Sequence, residues 1–366
     1  MLGVVSSPAA VSAAVSERLA GFLERMRRES TEYGSDAVAL VDAAADTLRG
    51  GKRLRARFCH AGWAAVAHLD GQDPVESDAL WDLCAALEIF QSAALVHDDL
   101  IDNSDTRRGR PAAHRALEAA HRRSGWSGDA GDFGRSAAIL LGDLLVAWSD
   151  DLLESALSAH PRADAVRLEY ARMRRDVTVG QFLDIAEESA WSVNDDTTHA
   201  ERALRVASLK SARYSIVQPL VLGGALAGAD DAQLSALRAF GHPVGMAFQL
   251  RDDVLGVFGD EAVTGKPAGD DLREGKRTVL VAFAREKLSP ADRRVLDELL
   301  GDPALTAQQV ETVRTTMIVT GALSRVETMI TDYAKEADAA LSGARLDIAA
   351  VSGLRDLAEA ATVRSA

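Results

Sequence analysis

AALEIFQSAALVHDDLID, residues 85–102, decides how this chain is read. The residues before Asp98 are almost entirely apolar, so a helix here buries most of its circumference. Aspartates then gather at its end. Asp98 and Asp102 are four apart and share a face, and Asp105 extends that face if the helix continues. Like charges stacked at this spacing repel, and burying carboxylates without partners is costly. A divalent cation between them removes both objections, and hard oxygen donors favour Mg²⁺ over Zn²⁺. The opposing reading is a helix that ends in solvent with its aspartates hydrated. FQLRDDVLG, residues 248–256, weighs against it, because a second apolar helix carries Asp252 and Asp253 at the same place relative to its apolar run. Two such pairs suggest metal ions held from both sides of a central cavity, as in helix bundles whose sites are built from facing side chains.

Outward from these segments the whole sequence is helical in character. Aromatics make up only 5% of 366 residues, Ala and Leu dominate, and alternating β-branched runs are hard to find, which predicts an all-α fold. Helical stretches are expected near 10–30, 36–48, 53–69, 76–103, 111–122, 135–158, 162–188, 199–228, 231–257, 276–300, 306–342 and 346–363, separated by Gly, Asp or Pro. Length alone allows two domains or one large one. No Pro/Ser linker interrupts the middle, so the expectation is a single large helical domain, 31–366, after a partly helical extension, 1–30. Two gaps stand out: Ser124–Gly134 reads as a surface loop, while Asp260–Gly275, rich in Lys, Asp and Gly, suits either a lid over phosphate or a solvated loop.

Composition excludes several functions. With 41 Lys and Arg against 55 Asp and Glu the net charge is −14, the wrong sign for a nucleic-acid binder. Cys59 and Cys84 are the only cysteines, too few for a disulfide scaffold or zinc site, and point to a reducing, cytoplasmic setting. The first residues lack the basic start of a secretory signal. The longest uncharged stretches, Tyr214–Ala229 and an equal run over 1–16, are shorter than the ~20 apolar residues of a membrane span, so none is expected. Against this acidic background two basic clusters have an evident use. Lys52, Arg53 and Arg55 follow the Gly50–Gly51 break, and Arg107, Arg108 and Arg110 follow the first aspartates. Lys and Arg bind phosphate directly, so the chain offers one anion site bridged by metal and one that needs none.

These segments resemble, in order, the motifs of the trans-prenyl diphosphate synthases, or polyprenyl synthetases: GGKRLR at 50–55, DDLID with NSDTRRGRP at 98–111, GQFLD at 180–184, Lys210–Ser211, FQLRDD at 248–253 and GKPAGDDLREGK at 265–276. The resemblance implies an isoprenoid-synthase helical bundle and an enzyme that condenses isopentenyl diphosphate with an allylic prenyl diphosphate. It gives Asp98, Asp99 and Asp102 to Mg²⁺ on the allylic diphosphate, faced by Asp252 with help from Asp253 and Asp184. Arg107, Lys210, Ser211, Gln249 and Lys266 would touch the allylic substrate, with Lys276 closing over it; Lys52, Arg55, Gln91 and Arg108 would hold isopentenyl diphosphate. Gln91 lies seven residues before Asp98, two turns away on the same face. The family relationship, with the many multiply apolar helices, also implies a homodimer. The sequence departs from the family pattern twice: Gly256 stands where the second motif usually has a third Asp, and Ala56 where a Pro commonly follows GGKRLR. His97, adjacent to Asp98, points off that carboxylate's face and reads as a packing or positioning residue rather than a base.

A terpene cyclase uses a similar aspartate cluster, but it would leave the Lys52/Arg55 cluster idle and needs an Asn, Ser/Thr, Glu ligand set in four-residue steps. Asn194, Thr198 and Arg202 are the nearest candidates, with Glu201 one position out of step. A noncatalytic partner subunit is suggested only by Gly256. For product length, Ala94 and Ala93 stand four and five residues before Asp98, where farnesyl-making relatives often carry aromatic rings, and Phe90 is a candidate floor a turn lower. That combination favours geranylgeranyl diphosphate over farnesyl or longer products.

Overall fold

A computed structural model describes residues 7–69, 75–259 and 269–362. The described residues are helical apart from turns and one antiparallel pair of two-residue strands, Thr106–Arg107 with Arg110–Pro111. The chain forms two compact units, one drawn from Met1–His60 and Gly71–Ala163, the other from Ala61–Asp70 and Asp164–Ala366.

The first unit is built around α4 (Asp78–Ile101), capped at its start by the Ser77 side chain. By length and composition α4 could cross a membrane, yet 72% of its most apolar stretch is buried within the protein; it is a core helix. Helix α1 (Pro8–Glu29) buries Val11, Val15, Leu19 and Phe22, one stripe at helical spacing. The Arg18 guanidinium clamps Asp82 of α4 with two hydrogen bonds, of 2.5 and 2.9 Å, so α1 is joined to this unit's core. Helix α2 (Ser35–Leu48) reaches α4 through the Ser92 hydroxyl, which donates to Thr47 at 2.9 Å. On α6 (Ala130–Leu157) the buried Ser149 hydroxyl donates to the Ala86 carbonyl at 2.6 Å. Helix α6 starts five residues earlier than its pattern suggests, because Asp129 caps it by accepting from the Asp132 amide. Between α4 and α6, the hairpin strands lead into α5 (Ala113–Arg123).

The second unit centres on α10 (Asp231–Phe258), opened by a capping box in which Asp230 and Gln233 satisfy each other's amides. Its Leu250, Val254 and Val257 join Leu280, Phe283, Val313 and Val326 in one apolar core. The stretch expected as one helix over 199–228 is three segments: α8 (His199–Val206), a π-helix over Ala207–Val217 and α9 (Gln218–Ala227). Two other expected helices are also broken. Ser289 and Pro290 start α13 (Pro290–Leu299) afresh after α12 (Val279–Glu286), and Gly321, at φ +78°, separates α14 (Ala307–Val319) from α15 (Ala322–Ala340). Helix α7 (Ala163–Ala190) carries the GQFLD motif, and the short α11 (Asp270–Glu274) is bracketed by left-handed Gly269 and Gly275.

Candidate active site

In the first unit, α4 ends at Ile101 and Asp102 caps it, its amide donating to the Asp98 carbonyl at 2.8 Å. The helix does not continue, so Asp105 leaves the Asp98/Asp102 face and pairs with Arg115 at 2.6 Å. This overturns its expected place in the aspartate row: Asn103, at φ +53°, turns the chain out of the helix. Asp98 and Asp102 remain together, half-buried, while the Asp99 residue is only 3% exposed.

A hairpin explains the arginines. Arg108 and Gly109 have φ of +53° and +70°, positive at both corner positions as a type I′ turn requires, and the paired strands return Arg107 to the helix end. The Arg107 Nε donates to Asp99 at 2.8 Å, a second guanidinium nitrogen bonds the same oxygen, and Asp98 lies 3.6 Å away. Buried Asp99 is thus neutralised by Arg107. The next residue, Arg108, reaches the other basic motif. Its guanidinium donates to the Arg49 carbonyl at 3.5 Å and lies where a Cβ on Gly51 would be 3.0 Å away. Gly51 itself has φ +85°, so its lack of a side chain serves both the turn and the close approach.

Arg53 belongs to the scaffold. Its side chain is buried, donates to the Leu48 carbonyl at 2.8 Å and lies 3.8 Å from Glu88. Glu88, buried on α4, also accepts from the Ala56 amide at 3.1 Å, holding the start of α3 (Leu54–Ala67). Lys52 is exposed, and Arg55 and Gln91 are half-buried. Arg108 lies within electrostatic reach of Arg53, Arg55 and Arg107. His97 points to α6, 3.3 Å from the Ile139 carbonyl and 3.5 Å from Asp143; a Cβ on Gly142 would overlap its ring. It packs, as expected. Phe90 and Ala93 are buried and Ala94 is partly exposed.

In the second unit, Gly180 lets α7 touch the π-helix: a Cβ there would lie 2.5 Å from the Lys210 nitrogen. Four residues on, Asp184 receives the Lys210 ammonium at 2.5 Å. The i→i+5 widening of this segment, of a kind frequent at functional sites, carries both Lys210 and half-buried Ser211. On α10 the two aspartates diverge. Asp252 is half-buried, whereas Asp253 is buried and accepts from the Gln249 amide at 2.7 Å. Burial pushes the Asp253 carboxyl up to about 8, opposed by the Gln249 hydrogen bond and reinforced by the nearby charges of Asp271 and Asp252. Lys276 bonds Glu274 at 2.6 Å and lies 3.5 Å from Asp271. Lys266 lies outside the described residues.

The donor chemistry fits magnesium: every candidate ligand is a carboxylate that offers only oxygen. Among the described residues no three His, Cys, Asp or Glu side chains form a ready-made cage; the carboxylates hold Arg107 and Lys210, cations a diphosphate would attract. The cyclase alternative loses its triad, because Asn194 precedes a 3₁₀ turn, Asp196–Thr198, and Arg202 is bound to Glu187 at 2.5 Å. Three features escaped the sequence reading: the capping role of Glu88, the scaffold role of Arg53 and the position of Asp271. An acid within an apolar helix was the available signal for the first.

Comparison with known proteins bears on the fold and the family. Residues 38–317 match the polyprenyl synthetase family model. A geranylgeranyl diphosphate synthase of Mycobacterium tuberculosis is 33% identical over 302 residues, 82% of this chain and 77% of that protein. A geranylfarnesyl diphosphate synthase of Aeropyrum pernix is 30% identical over 80% of this chain and 83% of its own. Among solved structures, a geranylgeranyl pyrophosphate synthase from Corynebacterium glutamicum, complexed with isoprenyl diphosphate and magnesium, superimposes with a TM-score of 0.90 at 38% identity, covering 97% of this chain and 99% of that one.

Proposed function

The chain belongs to the polyprenyl synthetase family and is a trans-prenyltransferase; from that premise we propose that it condenses isopentenyl diphosphate with an allylic prenyl diphosphate to make geranylgeranyl diphosphate. One observation carries the two-substrate reading: the Arg108 guanidinium against Gly51 sets the GGKRLR cluster beside the aspartate-bearing end of α4. A cyclase has no use for that basic cradle.

In this reading Asp98, Asp99 and Asp102, with Asp252, Asp253 and Asp184, are the magnesium ligands. Bound Mg²⁺ would supply neutralisation of the charge that develops on the leaving diphosphate. Arg107, Lys210, Ser211, Gln249, Lys266 and Lys276 hold and orient the allylic diphosphate. Lys52, Arg55, Gln91 and Arg108 fix isopentenyl diphosphate so that its double bond meets the allylic C1. As the C1–O bond breaks, the new C–C bond forms. The proton lost next to the resulting cation passes to the released diphosphate, and no side-chain base is required. The small side chain at Ala93, with Phe90 a turn below, is what in this reading favours a chain longer than farnesyl, the twenty-carbon product.

The same reading makes the protein a cytoplasmic homodimer. Both cysteines are free, and α6 and α7 each show solvent-exposed apolar side chains, Leu140 at 63% and Phe182 at 66% among them, which a partner copy would cover. Incubation with isopentenyl diphosphate, Mg²⁺ and dimethylallyl, geranyl or farnesyl diphosphate, with product sizing, tests the activity. Geranylgeranyl diphosphate is the expected end product; no chain elongation from any of the three would overturn the assignment.

A further inference from the structure

Helix α10 has to present Gln249, Asp252 and Asp253 at a fixed angle. Ala247, Leu250, Val254 and Val257 bury one stripe of it in the apolar core. Apolar contact is non-directional, so it sets the depth of the helix more strictly than its rotation. Rotation matters here, because side-chain ends lie about 5–6 Å from a helix axis and a turn of ~10° about that axis carries a carboxylate by about 1 Å. Two directional links fix the angle, and both come from α14 and α15, the helices that Gly321 separates. Arg251, the residue before Asp252, donates from its two terminal nitrogens to the two carboxylate oxygens of Glu327 on α15, at 2.6 and 2.7 Å. Two parallel bonds from one planar fork hold direction as well as distance. Successive residues lie about 100° apart around a helix, so setting Arg251 against α15 sets Asp252 with it. Arg314 of α14 reaches the end of the same helix: its Nε donates to the Val257 carbonyl at 2.7 Å, with the guanidinium 6.0 Å from the Phe258 ring centre. Val257 is among the last four residues of α10, whose carbonyls have no partner within the helix, and a cation there also meets the negative end of the helix dipole.

We infer that Arg251, Glu327 and Arg314 are positioning residues for the second aspartate pair: α14 and α15 together clamp the end of α10 and set the angle at which Asp252 is offered to a metal ion. None of the three is among the residues assigned above to metal or substrate. The inference rests on the proposed function for Asp252 as a ligand. The clamp itself stands on the fold.

The test uses the full chain with Arg251→Gln, Arg251→Lys, Glu327→Gln, Arg314→Gln and the double variant Arg251→Gln/Glu327→Gln. Amide hydrogen exchange in EDTA reads the clamp. Exchange over residues 249–258 should quicken in the Gln variants while that over 231–240 stays at the parent rate. Mn²⁺ binding in the presence of inorganic diphosphate, followed by electron paramagnetic resonance, reads the positioning. By charge alone, removing a cation next to Asp252 should tighten Mn²⁺. Positioning predicts the opposite sign: Arg251→Gln should weaken Mn²⁺ about tenfold, the low end for residues that orient metal ligands. Arg251→Lys, which keeps the charge but cannot form the fork, should lose nearly as much. The double variant should be no worse than Arg251→Gln, because both substitutions break the same fork. Unchanged or tighter Mn²⁺ in Arg251→Gln, full recovery in Arg251→Lys, losses that multiply in the double variant, or unchanged exchange at the α10 end would each overturn the inference. A parent protein that binds Mn²⁺ in this pattern yet elongates no prenyl chain would instead count against the proposed reaction and leave the clamp standing.

Discussion

Replacing Gly180 by Ala should damage the enzyme out of proportion to one methyl group. The new Cβ would lie 2.5 Å from the Lys210 nitrogen, 2.7 Å from the Leu209 carbonyl carbon and 2.8 Å from the Lys210 Cα. All three are backbone atoms, so no side chain can rotate away. Carbon and its neighbours pack at ~3.5–4.0 Å, so α7 and the π-helix must separate by about 1 Å at this crossing. Overpacking of this kind costs about 1–3 kcal/mol. The functional loss should be larger, because the separation falls on Lys210 itself, whose ammonium sits 2.5 Å from Asp184, and a 1 Å misplacement of a positioning group is worth about 10²-fold in rate. Urea unfolding should therefore show a lowered midpoint with an unchanged slope, and steady-state kinetics a fall in kcat well beyond the loss of folded protein. An unfolding free energy within ~0.5 kcal/mol of the parent together with kcat within twofold would show that the crossing is not as tight as described and refute the reasoning.

Asp98→Ala and Asp252→Ala should each abolish turnover while leaving the circular-dichroism spectrum intact, since each removes leaving-group stabilisation; activity within tenfold of wild type in both would contradict their role as metal ligands. Arg107→Gln leaves Asp99 buried beside a neutral partner, and because Arg107 is itself partly solvent-exposed the loss should fall to about 2–3 kcal/mol, below that of a fully buried pair; Asp99→Asn in the same background should recover part of it in a chemical-denaturation cycle. The Asp253 carboxyl, raised by burial from 3.8 to about 8, holds its proton in the folded state while the unfolded chain has released it. Its contribution to stability is therefore complete below about pH 4, falls by up to ~1.4 kcal/mol per pH unit as pH rises, and is gone above about pH 8. Melting in EDTA from pH 5 to 9 should show that decline in the parent and a flatter profile in Asp253→Asn; identical profiles would exclude the shift. Ala93→Phe should shorten the product and Phe90→Ala lengthen it, and unchanged product distributions from both would remove this face of α4 from chain-length control.

The legible parts of this protein are those whose meaning is local. The apolar run before Asp98 predicts a buried helix because burial of one helix depends on its own residues, and α4 is such a helix. His97 can be assigned to packing from its position one residue off the Asp98 face, and it faces Asp143 and the Ile139 carbonyl on α6. The misread parts depend on partners far away in sequence or on one dihedral angle. Asp105 follows the helix pattern on paper, but Asn103 adopts a left-handed backbone and Arg115, ten residues on, claims the carboxylate. Arg53 carries the same charge as Lys52 and Arg55, yet Glu88, thirty-five residues away, draws it into the scaffold.

The hardest feature to read was the one that looked like a defect. In sequence Gly256 is a missing carboxylate, a mark against catalysis. In the fold it is an opening of side-chain size, and another carboxylate stands in it. The two descriptions differ because a motif records which residue holds a charge, while chemistry depends on where the charge is. On α10 that space is within reach of α11, whose bracketing glycines at φ +75° and +79° let a five-residue helix turn tightly enough to present Asp271.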